Sequence, residues 1–210
     1  MILNNLNKII NILLELKFTL IGPEGLDNIA RLITDTKNNK VKGAFVEAGV
    51  WRGGACIFAR ALMDHLGIKE PVYVCDSFQG LPIPMDINDI EDSHFYIPEL
   101  SVSLNTVKEN FGYFPIEGEV KYVEGLFKDT MPKLKDEIEA VSVLRIDADM
   151  YEGTIQVLDN LYDNVSVGGY VICDDYCIEQ ARKAIDDFRE MYNIKNPLIK
   201  VNETIHYWQK

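Results

Sequence analysis

Five short runs of β-branched and aromatic residues recur along the chain, and an acid closes each of them. They are Ala44-Phe45-Val46 with Glu47, Val72-Tyr73-Val74-Cys75 with Asp76, Val120-Lys121-Tyr122-Val123 with Glu124, Val141 to Ile146 with Asp147, and Tyr170-Val171-Ile172-Cys173 with Asp174. Helical periodicity lies between or after them, at Ala55 to Leu66, Val102 to Phe111, Thr154 to Leu161 and Ile178 to Met191. Gly67 stops the first of these helices, where a left-handed C-cap is favoured. Strands that alternate with helices predict an α/β protein with a parallel, doubly wound sheet. Such sheets bind ligands outside the carboxyl ends of their strands, near the point where strand order reverses, and this sequence concentrates its acids there.

The 210 residues carry 21 Lys and Arg against 33 Asp and Glu, a net charge of −12, so a phosphate backbone would be repelled and nucleic acid is not an expected partner. A chain of this length can bury a full core without disulfides. No repeat, low-complexity stretch or linker divides it, so residues 1–210 read as a single domain. Cys56, Cys75, Cys173 and Cys177 form no Cys-x-x-Cys pair and read as reduced core thiols in the cytoplasm, without structural zinc.

Residues 1–40 read as an N-terminal helical region. Leu3, Leu6, Ile10, Leu13, Leu14 and Leu16 recur close to helical spacing, which predicts an amphipathic helix packed on the body or on a second subunit of a homodimer. Asn4, Asn5, Asn7, Lys8, Glu15 and Lys17 interrupt the apolar run, so neither an export signal nor a membrane span is expected. Asp27 to Asp35 reads as a second, short helix. Residues 81–101 lack periodicity and hold three prolines and five acids; they are expected to form a lid in which His94-Phe95-Tyr96 covers a ligand. The tail, Leu198 to Val201 and Ile205 to Trp208, reads as a hairpin around Asn202-Glu203 that closes the sheet edge. His65, His94 and His206 are scattered and support no histidine-based triad.

Glu47-x-Gly49 with Gly53-Gly54 places a glycine turn between the first strand and its helix, where a ligand could approach backbone amides. Trp51 and Arg52 fill that turn and the glycine spacing departs from G-x-G-x-x-G, which argues against a dinucleotide. Asp76 is placed either to accept hydrogen bonds from a ribose diol or to serve as a turn acid before Ser77 and Gly80. Glu124 either reaches the adenine side of a nucleoside or lies in a turn. Strand alternation predicts that Asp147 and Asp149 share a face, with Asp174 and Asp175 emerging at the same sheet edge. Four carboxylates in one cleft repel one another, and a hard cation such as Mg²⁺, Mn²⁺ or Ca²⁺ is the simple relief. Arg145 is odd in an apolar strand and reads as a buried ion-pair partner for these acids.

Four blocks carry a resemblance: Phe45-Val46-Glu47-Ala48-Gly49-Val50-Trp51-Arg52-Gly53-Gly54, Asp76-Ser77-Phe78-Gln79-Gly80-Leu81-Pro82, Leu144-Arg145-Ile146-Asp147-Ala148-Asp149-Met150-Tyr151-Glu152 and Gly168-Gly169-Tyr170-Val171-Ile172-Cys173-Asp174-Asp175-Tyr176. In this order they resemble the macrocin O-methyltransferase family. The resemblance implies a Rossmann-like, seven-stranded class I methyltransferase fold that uses S-adenosylmethionine and Mg²⁺ to methylate sugar hydroxyls of natural products. Carried over by position, Glu47, Ala48, Gly49 and Trp51 belong to the methionine end of the cofactor site, and Asp76 with Ser77 to the ribose. Glu124 and Asp147 complete the expected cofactor contacts. Asp147, Asp174 and Asp175 are the implied metal ligands, with Asp149 an alternative ligand or the base, and Asp147 the other candidate base. This chain departs from the family at Ala148, where Gly is frequent, and at Gly153, where Ser is frequent.

The expected reaction is methyl transfer to a sugar hydroxyl of a glycan or glycosylated natural product, with no nucleic-acid or membrane partner. The rivals are a catechol-type O-methyltransferase, a non-catalytic nucleoside-binding protein of the same fold, and an NAD-dependent oxidoreductase weakened by Trp51.

Overall fold

The computed structural model describes residues 3–90 and 97–210. Helices α1 (Leu3–Glu15) and α2 (Pro23–Asn38) lead into β1 (Ala44–Ala48), α3 (Gly54–Leu66) and β2 (Val72–Asp76). After a short 3-10 turn at Pro98–Leu100 come α4 (Leu104–Gly112), β3 (Val120–Glu124), α5 (Phe127–Glu137) and β4 (Val141–Ile146). The chain ends with α6 (Tyr151–Leu161), β5 (Val165–Cys173), α7 (Glu179–Met191), β6 (Ile199–Lys200) and β7 (His206–Gln209).

The seven strands lie in the order β3-β2-β1-β4-β5-β7-β6. Strands β1 to β5 pair in parallel, whereas β7 runs antiparallel between β5 and β6, so the sheet is mixed. The expected tail hairpin is present. Asn202 Oδ1 shapes its turn by accepting from the Thr204 and Ile205 amides, at 3.0 and 2.8 Å.

The central strands are apolar throughout because both faces are covered. Phe45, Val143 and Ile172 point into one core with Leu13, Leu26, Ile29 and Ile57 of the first three helices. Val46, Leu144 and Val171 point into the other, with Met131, Val157, Phe188 and Trp208. This parity is the period-two alternation of a strand buried on two sides.

Three expectations on the helices need correction. Helix α1 buries Ile9 and Leu13, but Leu16 falls past its end and is exposed. Helix α2 is longer than Asp27 to Asp35, because Pro23 fits its first turn, where no intrahelical N–H is needed. Helix α5 goes unread in the sequence: Pro132 lies inside it, and Thr130, Met131 and Leu134 alone are buried. Of the four cysteines, Cys56, Cys75 and Cys173 are buried and Cys177 is exposed. The proposed lid aromatics His94, Phe95 and Tyr96 lie outside the described residues.

Strand order reverses between β1 and β4, and there the backbone is too close for any side chain but hydrogen. Gly49 has φ +87°, and a Cβ on it would lie 1.7 Å from the Asp147 carbonyl oxygen. Hydrogen bonds on either side, Gly49 N to Cys75 O and Asp147 N to Ala48 O, both 2.8 Å, fix the approach. Gly49→Ala is expected to destabilise the fold by about 4 kcal/mol or more in equilibrium urea unfolding, and a midpoint equal to wild type would contradict the close approach.

Candidate active site

A cleft of about 800 Å³ opens at the carboxyl ends of the parallel strands. Its floor is organised by Arg145, the fifth residue of β4, whose side chain is 1% exposed. The guanidinium pairs with Glu47 at the end of β1, with Asp147 Oδ2 at 2.8 Å and with Asp174 Oδ1 at 2.6 Å. This is the buried ion-pair role expected for it. Three acids around the guanidinium hold its pKa well above the usual range despite burial. Glu47 is itself fully enclosed, and its second oxygen accepts from the Cys56 thiol. Burial pushes the Glu47 carboxyl up to about 7 against the pull of Arg145, and lifts Asp174 to about 6.

Asp147, Asp149 and Asp175 each present a carboxylate oxygen within 4.8 Å of the others. Asp149 arrives there by a turn and not by strand alternation, since β4 has ended at Ile146. Its φ is +58°, and Met150 N closes back on Ala148 O at 2.5 Å across it. The Asp149 amide donates to Asp175 Oδ2 at 3.1 Å. Asp175 is pushed well above the ordinary carboxylate range, first by burial and then by the charges of Asp147 and Asp149. Of the expected set, Asp147, Asp174 and Asp175 all line the cleft; Asp147 and Asp175 cluster with Asp149, while Asp174 pairs with Arg145. Three carboxylates pair with the guanidinium, and Asp149 and Asp175 adjoin them through Asp147 in the same cleft. The donor set is hard, anionic and oxygen-only, which fits a divalent cation such as Mg²⁺.

The other candidate residues divide. Glu47, Gly49, Trp51, Asp76 and Ser77 all line the cleft. Ala48 is buried in β1 and does not. Asp76 accepts from the Val50 and Phe78 amides, both at 2.8 Å, so it serves as a turn acid joining β1 to β2. Burial raises its pKa while those amides oppose the rise. Ser77 Oγ donates to Gly80 O at 2.8 Å and shapes the same turn. Trp51, at φ +48°, donates from Nε1 to Glu99 O at 2.8 Å and stacks under Arg52. Glu124 is exposed at the end of β3, and Gly125 to Lys128 form the wall there instead. Sequence reasoning assigned no role to that stretch or to Thr19–Ile21, which a crossing of the α1–α2 connection over α3 brings to the rim. Gly54 permits the crossing, since a Cβ on it would lie 2.3 Å from Phe18 O.

The two departures noted at Ala148 and Gly153 are neighbours in space. A Cβ on Gly153 would sit 3.3 Å from Ala148 Cβ and 3.6 Å from Phe127 Cδ2, in the cleft wall. A methyl present at one position and absent at the other fills the same volume.

A parallel sheet of this order with an antiparallel last strand, carrying an acidic cleft at its switch point, defines a class I methyltransferase fold. The family description Macrocin-O-methyltransferase (TylF) matches residues 14–210, and the chain belongs to that family. It is an S-adenosylmethionine-dependent O-methyltransferase. It is 36% identical over 200 residues to mycinamicin III 3''-O-methyltransferase of Micromonospora griseorubida, covering 91% of this chain and 78% of that one. With demethyldecarbamoylnovobiocin O-methyltransferase of Streptomyces niveus the identity is 39% over 199 residues, covering 91% and 75%. The solved structure of the O-methyltransferase NovP superposes with a TM-score of 0.87 at 39% identity, covering 91% of this chain and 81% of that one. The calicheamicin methyltransferase CalS11 shares the fold, with a TM-score of 0.72 at 17% identity over 98% of this chain and 91% of that one.

Two measurements test this geometry. Arg145→Leu leaves buried acids without their cation and is expected to cost about 3–5 kcal/mol in urea unfolding at neutral pH. Gly153→Ser is expected to destabilise the chain and Ala148→Gly to relieve it, with a coupling of about 0.5–1 kcal/mol in a double-mutant cycle. Strict additivity would show that the two sites do not share that volume.

Proposed function

We propose that the acceptor is a sugar hydroxyl on a glycosylated natural product with an apolar body, and that Asp147, Asp149 and Asp175 hold a divalent cation. The observation that carries this reading is the cluster of Asp147, Asp149 and Asp175 beside the Arg145 ion pairs at the floor of a cleft whose rim is apolar. Leu20, Ile83 and Met85 line that rim and are 69%, 76% and 78% exposed. Among the described residues of the wall, Arg145 and Lys128 are the basic ones, and Arg145 is engaged by acids. A sugar nucleotide would find little to pair with its diphosphate, whereas an apolar aglycone would cover the rim. The relatives' names, mycinamicin and novobiocin among them, agree with that choice.

When bound, S-adenosylmethionine supplies an electrophilic methyl on a sulfonium and the cation lowers the pKa of a neighbouring hydroxyl. The chain's own residues do the rest. Asp76 and Ser77 face the cofactor's ribose, Glu47 and Gly49 its methionine end, and the surplus of acids favours a positive ligand. Asp149, at the tip of its turn, would accept the hydroxyl proton on a carboxylate oxygen, with Asp147 the alternative acceptor. Leu20, Ile83 and Met85 exclude water from the acceptor side. No described helix is long and apolar enough to cross a membrane. The four cysteines are free, which fits the reducing cytoplasm we propose for the enzyme.

The test is methyl transfer from labelled S-adenosylmethionine to three acceptor sets, namely demethylated glycosides with apolar aglycones, nucleotide sugars and catechols, each with Mg²⁺ or chelator. Transfer to the glycosides alone is expected, with chelation and Asp149→Asn each lowering it by about 10²-fold or more while S-adenosylhomocysteine binding persists. Transfer to catechols alone would overturn the acceptor assignment, and transfer indifferent to chelator would overturn the cation.

A further inference from the structure

Asp89 is an ionisable side chain with no exposed surface, carried by the irregular segment that follows β2. Its two oxygens accept from consecutive amides at the start of α6: Tyr151 N to Oδ1 at 2.7 Å and Glu152 N to Oδ2 at 2.8 Å. That helix has no cap of its own, because Met150 stands at the N-cap position and supplies no side-chain acceptor. The cap comes instead from a distant part of the chain. A local turn aims it: Asp86 Oδ1 accepts from the Asn88 amide at 2.8 Å and Asp86 O from the Asp89 amide at 3.0 Å.

The two capped amides directly follow the strained acid turn. From Asp149 to Glu152 every amide is held, the first by Asp175, the second by Ala148 O and the last two by Asp89. The segment that bears Asp89 also bears Ile83 and Met85 of the acceptor rim. One carboxylate therefore joins the acceptor wall to the backbone that orients Asp149.

We propose that Asp89 is a positioning residue, coupling the seating of the Leu81–Ile90 segment to the geometry of the Asp147, Asp149 and Asp175 cluster. This rests on the cation reading of that cluster. Without the cap, Asp149 relaxes from its left-handed turn and the cluster loosens, while the cofactor contacts on β1 and β2 stay in place. The coupling acts through backbone, so an isostere with one acceptor oxygen preserves it in part and a missing donor weakens it from the other side.

The experiment uses the full chain and two probes, Mn²⁺ and S-adenosylhomocysteine, with hydrogen exchange at the Tyr151 and Glu152 amides. Asp89→Ala is expected to weaken Mn²⁺ binding by about tenfold, as loss of a supporting group does at metal sites, and to raise exchange at both amides. S-adenosylhomocysteine affinity is expected to stay within about twofold. Asp89→Asn, which keeps one acceptor oxygen and sets an NH2 against the other amide, is expected to restore protection at one of the two amides and part of the Mn²⁺ affinity. A second variant approaches from the helix: Tyr151→Pro removes one donor at a first-turn position, and Met150 at φ −97° and ψ 156° already suits a following proline. Compared with Tyr151→Phe, which loses only the hydroxyl bond to Asp187, it is expected to weaken Mn²⁺ in the same sense. Unchanged Mn²⁺ affinity in Asp89→Ala overturns the inference, as does a parallel loss of Mn²⁺ and S-adenosylhomocysteine affinity. Should Asp89→Ala fail to fold, unchanged Mn²⁺ affinity in Tyr151→Pro overturns it. A wild-type chain that binds S-adenosylhomocysteine and no Mn²⁺ overturns the cation reading and the inference with it.

Discussion

A guanidinium in the middle of a strand that is buried on both faces must find its partners inside the protein, and Arg145 finds them on three strands. Glu47 comes from β1, Asp147 from the end of β4 and Asp174 from the end of β5, so the pair network ties together the strands that flank the reversal of order. Isolated, such a charge would be costly to desolvate; surrounded by acids, it is held in its charged form. The same arrangement explains why neighbours in sequence have different tasks. Asp174 turns toward Arg145, while Asp175 accepts from the Asp149 amide and joins the cluster at the cleft surface. One guanidinium pairs with three carboxylates, and Asp149 and Asp175 add to the acidic excess in the cleft. A sulfonium and a divalent cation are ligands that this imbalance favours.

Much of this was readable in the sequence because it depends on short-range pattern. Strand ends were marked by acids, Gly67 marked a helix end, and Arg145 stood out in an apolar run. Gly67 does adopt the left-handed cap, at φ +71°. What could not be read depends on contacts between distant residues or on weak periodicity. Helix α5 has a narrow buried stripe and an internal proline, so its amphipathic signal is faint. Asp89 is one of five acids in an irregular stretch, and nothing local in the sequence distinguishes it from Asp86. Its burial follows from the bare N-terminus of α6, which is formed more than sixty positions later, as the 62- and 63-residue separations of its bonds show. Asp147 and Asp149 were rightly placed together, but for the wrong reason. A two-residue alternation requires the strand to continue, and here a left-handed turn bends Asp149 back.

Half of the left-handed non-glycine backbone of the described chain lies at the edge of the sheet where the ligands would lie. Of the non-glycine residues with positive φ, Trp51, Phe78 and Asp149 follow β1, β2 and β4 respectively, at +48°, +55° and +58°. Each such conformation costs about 1–3 kcal/mol unless its surroundings hold it. Here carboxylates do the holding. Asp76 accepts from amides on both sides of the β1–β2 junction, and Asp175 and Asp89 divide the amides of the acid turn. An ionised carboxylate has about four acceptor positions, so the backbone bonds from Val50, Phe78 and Trp51 do not exhaust it. The choice between a turn acid and a ribose acceptor at Asp76 is therefore not exclusive. Its bonds to Val50 and Phe78 fix the carboxylate in one orientation and leave lone pairs for a diol in the cleft. Across this edge the groups that stabilise strained turns are the ones that would meet the ligand, so a substitution that removes an acid acts on backbone geometry and on binding at once.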